Sequence, residues 1–159
     1  MYLMLYQVRI HTRPGFEDPH ASEIERELED LGLETCGPVH SSRLFLIGGS
    51  EIDQTAADKL ALELLSDPCV HVCEISAWAA GTAPGTDAAS VTVTRRAGVM
   101  DPVVQSIKRG ARQLGFDLDE IRTGQTYTFG GSSTPEQLEK IAFGGFANPV
   151  VDEVLVGFT

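Results

Sequence analysis

Two pentapeptides, Gly15-Phe16-Glu17-Asp18-Pro19 and Gly98-Val99-Met100-Asp101-Pro102, stand 98 − 15 = 83 residues apart. That spacing constrains the fold more than any other feature of the chain. At the same offset, Arg13, Ile24, Leu31 and Gly32 are identical to Arg96, Ile107, Leu114 and Gly115. Further on, Gly48-Gly49 matches Gly130-Gly131 at 130 − 48 = 82, and Asp67-Pro68 matches Asn148-Pro149 at 149 − 68 = 81. The offset slips by one in each of two polar, turn-like stretches, where loops tolerate deletions that packed elements do not. A fixed period of this kind marks one supersecondary design written twice.

The physical pattern repeats with the letters. Val8 and Ile10 alternate with polar residues, as do Val91 and Val93, and each set reads as a half-buried strand. The pentapeptide that follows is a strand-to-helix corner. Its glycine lets the chain turn, its aspartate suits an N-cap, and its proline suits the first helical position. Ala21, Ile24, Leu28 and Leu31, then Val104, Ile107, Ala111 and Leu114, form apolar stripes at helical spacing. Gly32 and Gly115 stop those helices. A second strand is expected around 39–47 and again around 121–129. A second helix starts near Asp53 or Thr134, where Thr134-Pro135-Glu136-Gln137 has the form of a capping box. Asp67-Pro68 and Asn148-Pro149 end it, and a last strand runs near 70–76 and 151–156. The middle strand is long enough to bend or to fold into a hairpin, which would make the unit ferredoxin-like.

The expected fold is α+β. Two tandem βαβαβ repeats, residues 1–78 and 90–159, form antiparallel sheets with helices on one face. Residues 79–89, AAGTAPGTDAA, link them. One repeat of this size is near the limit for a self-sufficient core. An intramolecular pseudo-dimer, each sheet shielding the other, is therefore expected.

Composition narrows the function. The formal net charge is −11, which argues against nucleic acid, because binding phosphates needs a basic footprint. Residues 1–78 hold 5 basic and 14 acidic residues, a balance of −9, against 7 and 8, or −1, in residues 90–159. No apolar run is long enough to span a membrane, and the start, MYLMLYQVRI, reads as a strand rather than a signal peptide. Three cysteines without framework spacing point to a reducing, cytoplasmic compartment.

No nucleophile elbow, phosphate loop or H-E-x-x-H motif occurs, so no catalytic residue is assigned. Cys69-Val70-His71-Val72-Cys73 has metal-ligating residue types, but same-face neighbours on a strand lie too far apart for one zinc ion. Neither metal nor cofactor is expected. Gly144 and Gly145 sit inside the last helix, where close approach by another element or a frayed helix end would explain them. Arg95, Arg96, Lys108, Arg109 and Arg112 form the most suggestive set. They suit either an acidic partner surface or phosphate, or pairing with the acidic first repeat.

A strand, then R-P-G-x-x-D-P, a helix ending Leu-Gly, a second strand, a helix ending N-P-V-V and a last strand resembles PurS, the small subunit of phosphoribosylformylglycinamidine synthase. The matching residues are Arg13–Pro19, Leu31-Gly32, Asp101-Pro102, Leu114-Gly115, Arg122-Thr123-Gly124 and Asn148–Val151. They recur over residues 3–77 and 89–158. The resemblance implies a non-catalytic subunit, or an N-terminal domain of the large fused enzyme. In purine biosynthesis it would join the synthetase PurL to the glutaminase PurQ and support ammonia transfer. It adds Arg122, Gly124, Gln125 and Asn148 to the partner-binding candidates, with Gln125 where the family often has lysine, and it leaves room for further homo-oligomerisation. A tandem sensing module of the ACT kind is the alternative reading. A thermal-shift screen over amino acids and nucleotides separates the two.

Overall fold

The computed structural model describes residues 4–78, 89–96, 99–131, 133–146 and 152–157. In chain order the elements are β1 (Leu5–Thr12), α1 (Pro19–Asp30), β2 (Val39–Gly48), α2 (Gln54–Leu60), β3 (His71–Trp78), β4 (Ala89–Arg95), α3 (Pro102–Gln113), β5 (Glu120–Phe129), α4 (Pro135–Ile141) and β6 (Asp152–Gly157). A short 3₁₀ turn, Glu34–Cys36, precedes β2. Helices α2 and α4 each continue into one π turn, Ala61–Leu65 and Ala142–Phe146. The chain is therefore α+β, with the order βαβαβ written twice. The middle strands β2 and β5 are single ten-residue strands, not hairpins. Most of the linker and the Asn148-Pro149 stop lie outside the described residues.

The helix ends follow from the repeated punctuation. Asp18 accepts a bond from the Ala21 amide at 3.1 Å, and Asp101 from the Val103 amide at 3.0 Å. Each is followed by proline in the first turn. At the other end, the Leu33 amide donates to the Leu28 carbonyl at 2.8 Å and Gly32 to Glu29 at 3.1 Å, with φ +72° at Gly32. Phe116, Ala111 and Gly115 (φ +90°) repeat this closure. Left-handed backbone at the stop is what makes glycine necessary there. At α4 the Thr134 hydroxyl accepts from the Gln137 amide, and Gln137 Oε1 accepts from the Thr134 amide, so the capping box is complete.

The compact units do not coincide with the repeats. One unit comprises Met1–Phe16, Arg43–Thr82 and Ala97–Thr123. Its strand order is β3-β1-β2-β5, with β1 and β3 antiparallel. Its helix layer joins α2 from the first repeat to α3 from the second. The core packs Val8, Ile10, Phe45, Ile47, Leu60 and Ala61 with Ile107 and Ala111. The other unit comprises Glu17–Ser42, Ala83–Arg96 and Gly124–Thr159. Its strand order is β2-β5-β4-β6, with β4 antiparallel to both β5 and β6. There α4 is joined by α1 from the first repeat, and Ala21, Ile24 and Leu28 pack with Val91, Phe129, Leu138 and Ile141. The first helices have been exchanged, and each of β2 and β5 contributes one end to each unit.

The strands are also less amphipathic than their alternation suggests. The polar positions of β1 and β4 are buried too: Gln7, Arg9, Ser90, Thr92 and Thr94 all fall below one-tenth exposure. Alternation of apolar and polar residues expresses two different faces. It does not say that the polar face meets water. Small hydroxyls can be buried when they bond one another, as Thr92 and Thr126 do at 3.1 Å.

Candidate partner-binding surface

The repeated corner anchors each first helix to the second strand of its own repeat. Besides capping α1, the Asp18 carboxylate accepts from the Ser41 amide at 3.2 Å and from its hydroxyl at 2.8 Å. Asp101 accepts from the Thr123 hydroxyl at 2.7 Å. Arg13 belongs to the same corner. Its Nε donates to the Pro68 carbonyl at 3.0 Å, so the Arg-Pro-Gly and Asp-Pro signatures of the first repeat meet in space. These residues are structural. Replacing Asp18 by alanine removes a cap worth about 1 kcal/mol and two further bonds to a charged acceptor. We expect a loss of about 2–4 kcal/mol in urea unfolding. Asp101→Ala, with fewer partners, costs about half as much.

The basic set divides. Arg95 ends β4 and Arg96 follows it in the second unit, while Lys108, Arg109 and Arg112 share α3 in the first. On α3, Ile107 and Ala111 turn inward, and Arg109 and Arg112 are exposed. Arg95 pairs with Asp152 at 3.9 Å, Arg112 with Asp117 at 3.4 Å, and Arg122 with Glu120 at 3.8 Å. These partners come from the second repeat itself, not from the acidic first one. The Arg112–Asp117 pair, exposed on both sides, holds little energy, whereas the side chains of Asp152 and Arg122 are only 15% and 28% exposed. Gly124 is a packing requirement: a Cβ there would lie 2.7 Å from the Val93 carbonyl oxygen. Gln125 carries an enclosed Nε2 with no bonded acceptor. Asn148 lies outside the described residues.

Helix exchange moves charge as well. Helix α1 carries its carboxylates into the second unit, where Asp18, Glu23 and Glu27 stand near Tyr127. Burial, reinforced by those negative charges, pushes the Tyr127 phenol up to about 12. Between α1 and the Gly37-Pro38 peptide lies an open recess of about 250 Å³, lined by Glu25, Leu28 and Glu29.

Sequence reasoning missed two features. Leu62 and Phe143 are exposed by 51% and 58%. They occupy equivalent places in the two π turns, 143 − 62 = 81 residues apart. Both fall outside the buried stripes of their helices, Ala57-Leu60-Ala61-Leu65 and Leu138-Ile141-Ala142, so helical spacing alone already turns them outward. The other is Arg9, almost fully buried opposite Glu74. One charged residue inside an alternating strand carries no sequence signal of burial. Among the described residues, no group of three or more His, Cys, Asp or Glu side chains is placed to hold a metal, and no helix is long and apolar enough to cross a membrane.

Comparison with known proteins accords with the repeat. Residues 5–78 and 88–158 each match the family model PurS, described as phosphoribosylformylglycinamidine (FGAM) synthase. No curated protein matches the chain.

Proposed function

Since the chain belongs to the PurS family of FGAM synthase, we propose that it is a non-catalytic assembly subunit, or assembly domain, of that enzyme in purine biosynthesis. It bridges a PurL-type synthetase and a PurQ-type glutaminase and supports the passage of ammonia between them. The observation that carries this reading is the doubled family match, which spans nearly the whole chain.

Several surface features support it. The exposed Leu62 and Phe143 offer each repeat an apolar contact at the equivalent helix position. The cations of α3 with Arg122 in one unit, and Arg95 and Arg96 in the other, supply polar contacts that differ between the two units. Three free cysteines suit a reducing cytoplasm. The test is reconstitution. Glutamine-dependent amidine formation by PurL and PurQ should need this chain, and the three should co-elute as one complex. Full glutamine-dependent activity without the chain would overturn the proposal.

A further inference from the structure

We propose that Arg9 anchors a binding site for a small oxyanion, a carboxylate or phosphate group, on the polar face of β1. This site is independent of the assembly role. Arg9 is only 7% exposed, yet its Nε and Nη2 are enclosed and have no hydrogen-bond acceptor. Those two nitrogens form the side-on fork of a guanidinium. Their parallel N–H groups match the two oxygens of a carboxylate or phosphate. Leaving both donors empty is costly, because a buried guanidinium keeps its charge and loses water's acceptors.

The neighbours do not fill the fork. Glu74 lies directly across the strand pair from Arg9, and its charge opposes the lowering of the Arg9 pKa by burial. Its carboxylate stands instead 3.4 Å from His11 Nε2. Although that distance is short, the geometry makes no hydrogen bond, and His11 Nε2 is also enclosed and unsatisfied. His11 is two residues along β1 from Arg9, on the same face. The site therefore offers a forked cation and an imidazole nitrogen, with one carboxylate at its rim.

The fold does not itself demand arginine here. The equivalent residue of the second repeat, 9 + 83 = 92, is Thr92, whose hydroxyl is satisfied by Thr126 at 3.1 Å. A small hydroxyl closes the same strand position without an empty donor. Arginine at position 9 is thus a departure from the repeat, and an anion is what it can hold.

The experiment compares the protein in phosphate, acetate and chloride at matched ionic strength, by thermal melting and by calorimetric titration. Phosphate, acetate or both should raise Tm by about 3 °C over chloride at tenfold excess over Kd. The active anion identifies the group recognised. In Arg9→Met the response should vanish while melting in chloride stays equal or rises, because an unsatisfied buried charge has been removed. Arg9→Lys keeps the charge but not the fork, and should bind about tenfold more weakly. An equal anion response in Arg9→Met overturns the proposal. If that variant does not fold, the wild-type titration decides: neither heat nor a melting shift with phosphate or acetate overturns it.

Discussion

Cut within residues 79–88 and separated, the two repeats will not fold as monomers, and mixing them will restore a 1:1 complex. Each repeat, once separated, keeps only one of the two helices that cover its strands, α2 or α4, and loses the other. Residues 1–78 would keep Val8, Ile10, Phe45 and Ile47 but lose the cover of Ile107 and Ala111. They would also strand Ile24, Leu28, Leu33 and Val39, which are buried only against the second unit's core. Exposing those four side chains forfeits on the order of 8 kcal/mol, comparable to the whole stability of a typical domain. Self-association is a poor escape for the first repeat. In the first unit, α3 presents Gly110 to Leu64, where a Cβ would come within 2.5 Å of Leu64 Cδ1. The corresponding residue of α1 is Glu27, since 110 − 27 = 83. A second copy of α1 would drive Glu27 into Leu64, and Leu28 into the space of the fully buried Ala111. Circular dichroism and sedimentation of each half, then of the mixture, check this. A monomeric, cooperatively unfolding first repeat would refute it.

Gly131→Ala should be the most damaging small substitution, at about 3 kcal/mol or more. The new Cβ would meet the Thr35 carbonyl oxygen and lie 2.5 Å from that of Gly37. Both are backbone atoms, held in place because the Gly131 amide donates to Cys36 at 3.1 Å and Gly130 to Pro38 at 2.8 Å. Backbone cannot step aside as a flexible side-chain tip can. Gly144→Ala is the control. Its Cβ would rest 3.5 Å from Leu31 Cδ1, an ordinary contact, and φ at Gly144 is not positive. Close approach therefore does not explain this glycine. Alanine there should stabilise by about 0.5–1 kcal/mol, through reduced freedom of the unfolded chain. Urea midpoints of the two variants give the comparison, and a Gly131→Ala protein within 1 kcal/mol of wild type would show that the Thr35–Gly37 segment yields.

Interactions a few residues long are what is legible in the sequence alone. Asp18 and Asp101 cap because their carboxylates reach an amide two or three residues away, and Gly32 and Gly115 stop helices because the backbone there is left-handed. The candidate surface was less legible. Arg95 and Lys108, grouped by charge in the sequence, belong to different compact units. Leu62 and Phe143 stay exposed because they fall outside the buried stripes Ala57-Leu60-Ala61-Leu65 and Leu138-Ile141-Ala142. Arg9 gave no sign of burial, since alternation marks a face without naming what covers it.

By itself, the sequence determined that one strand–helix–strand–helix–strand design occurs twice, where its helices begin and end, and which family it belongs to. Those properties rest on local bonds and on the order of residues. Only the tertiary structure decided which strands each first helix covers. An apolar stripe requires burial but does not choose its partner. The choice falls to shape at the contact, Gly110 against Leu64 and Leu28 among Phe129, Leu138 and Ile141, and shape exists only once distant segments have met.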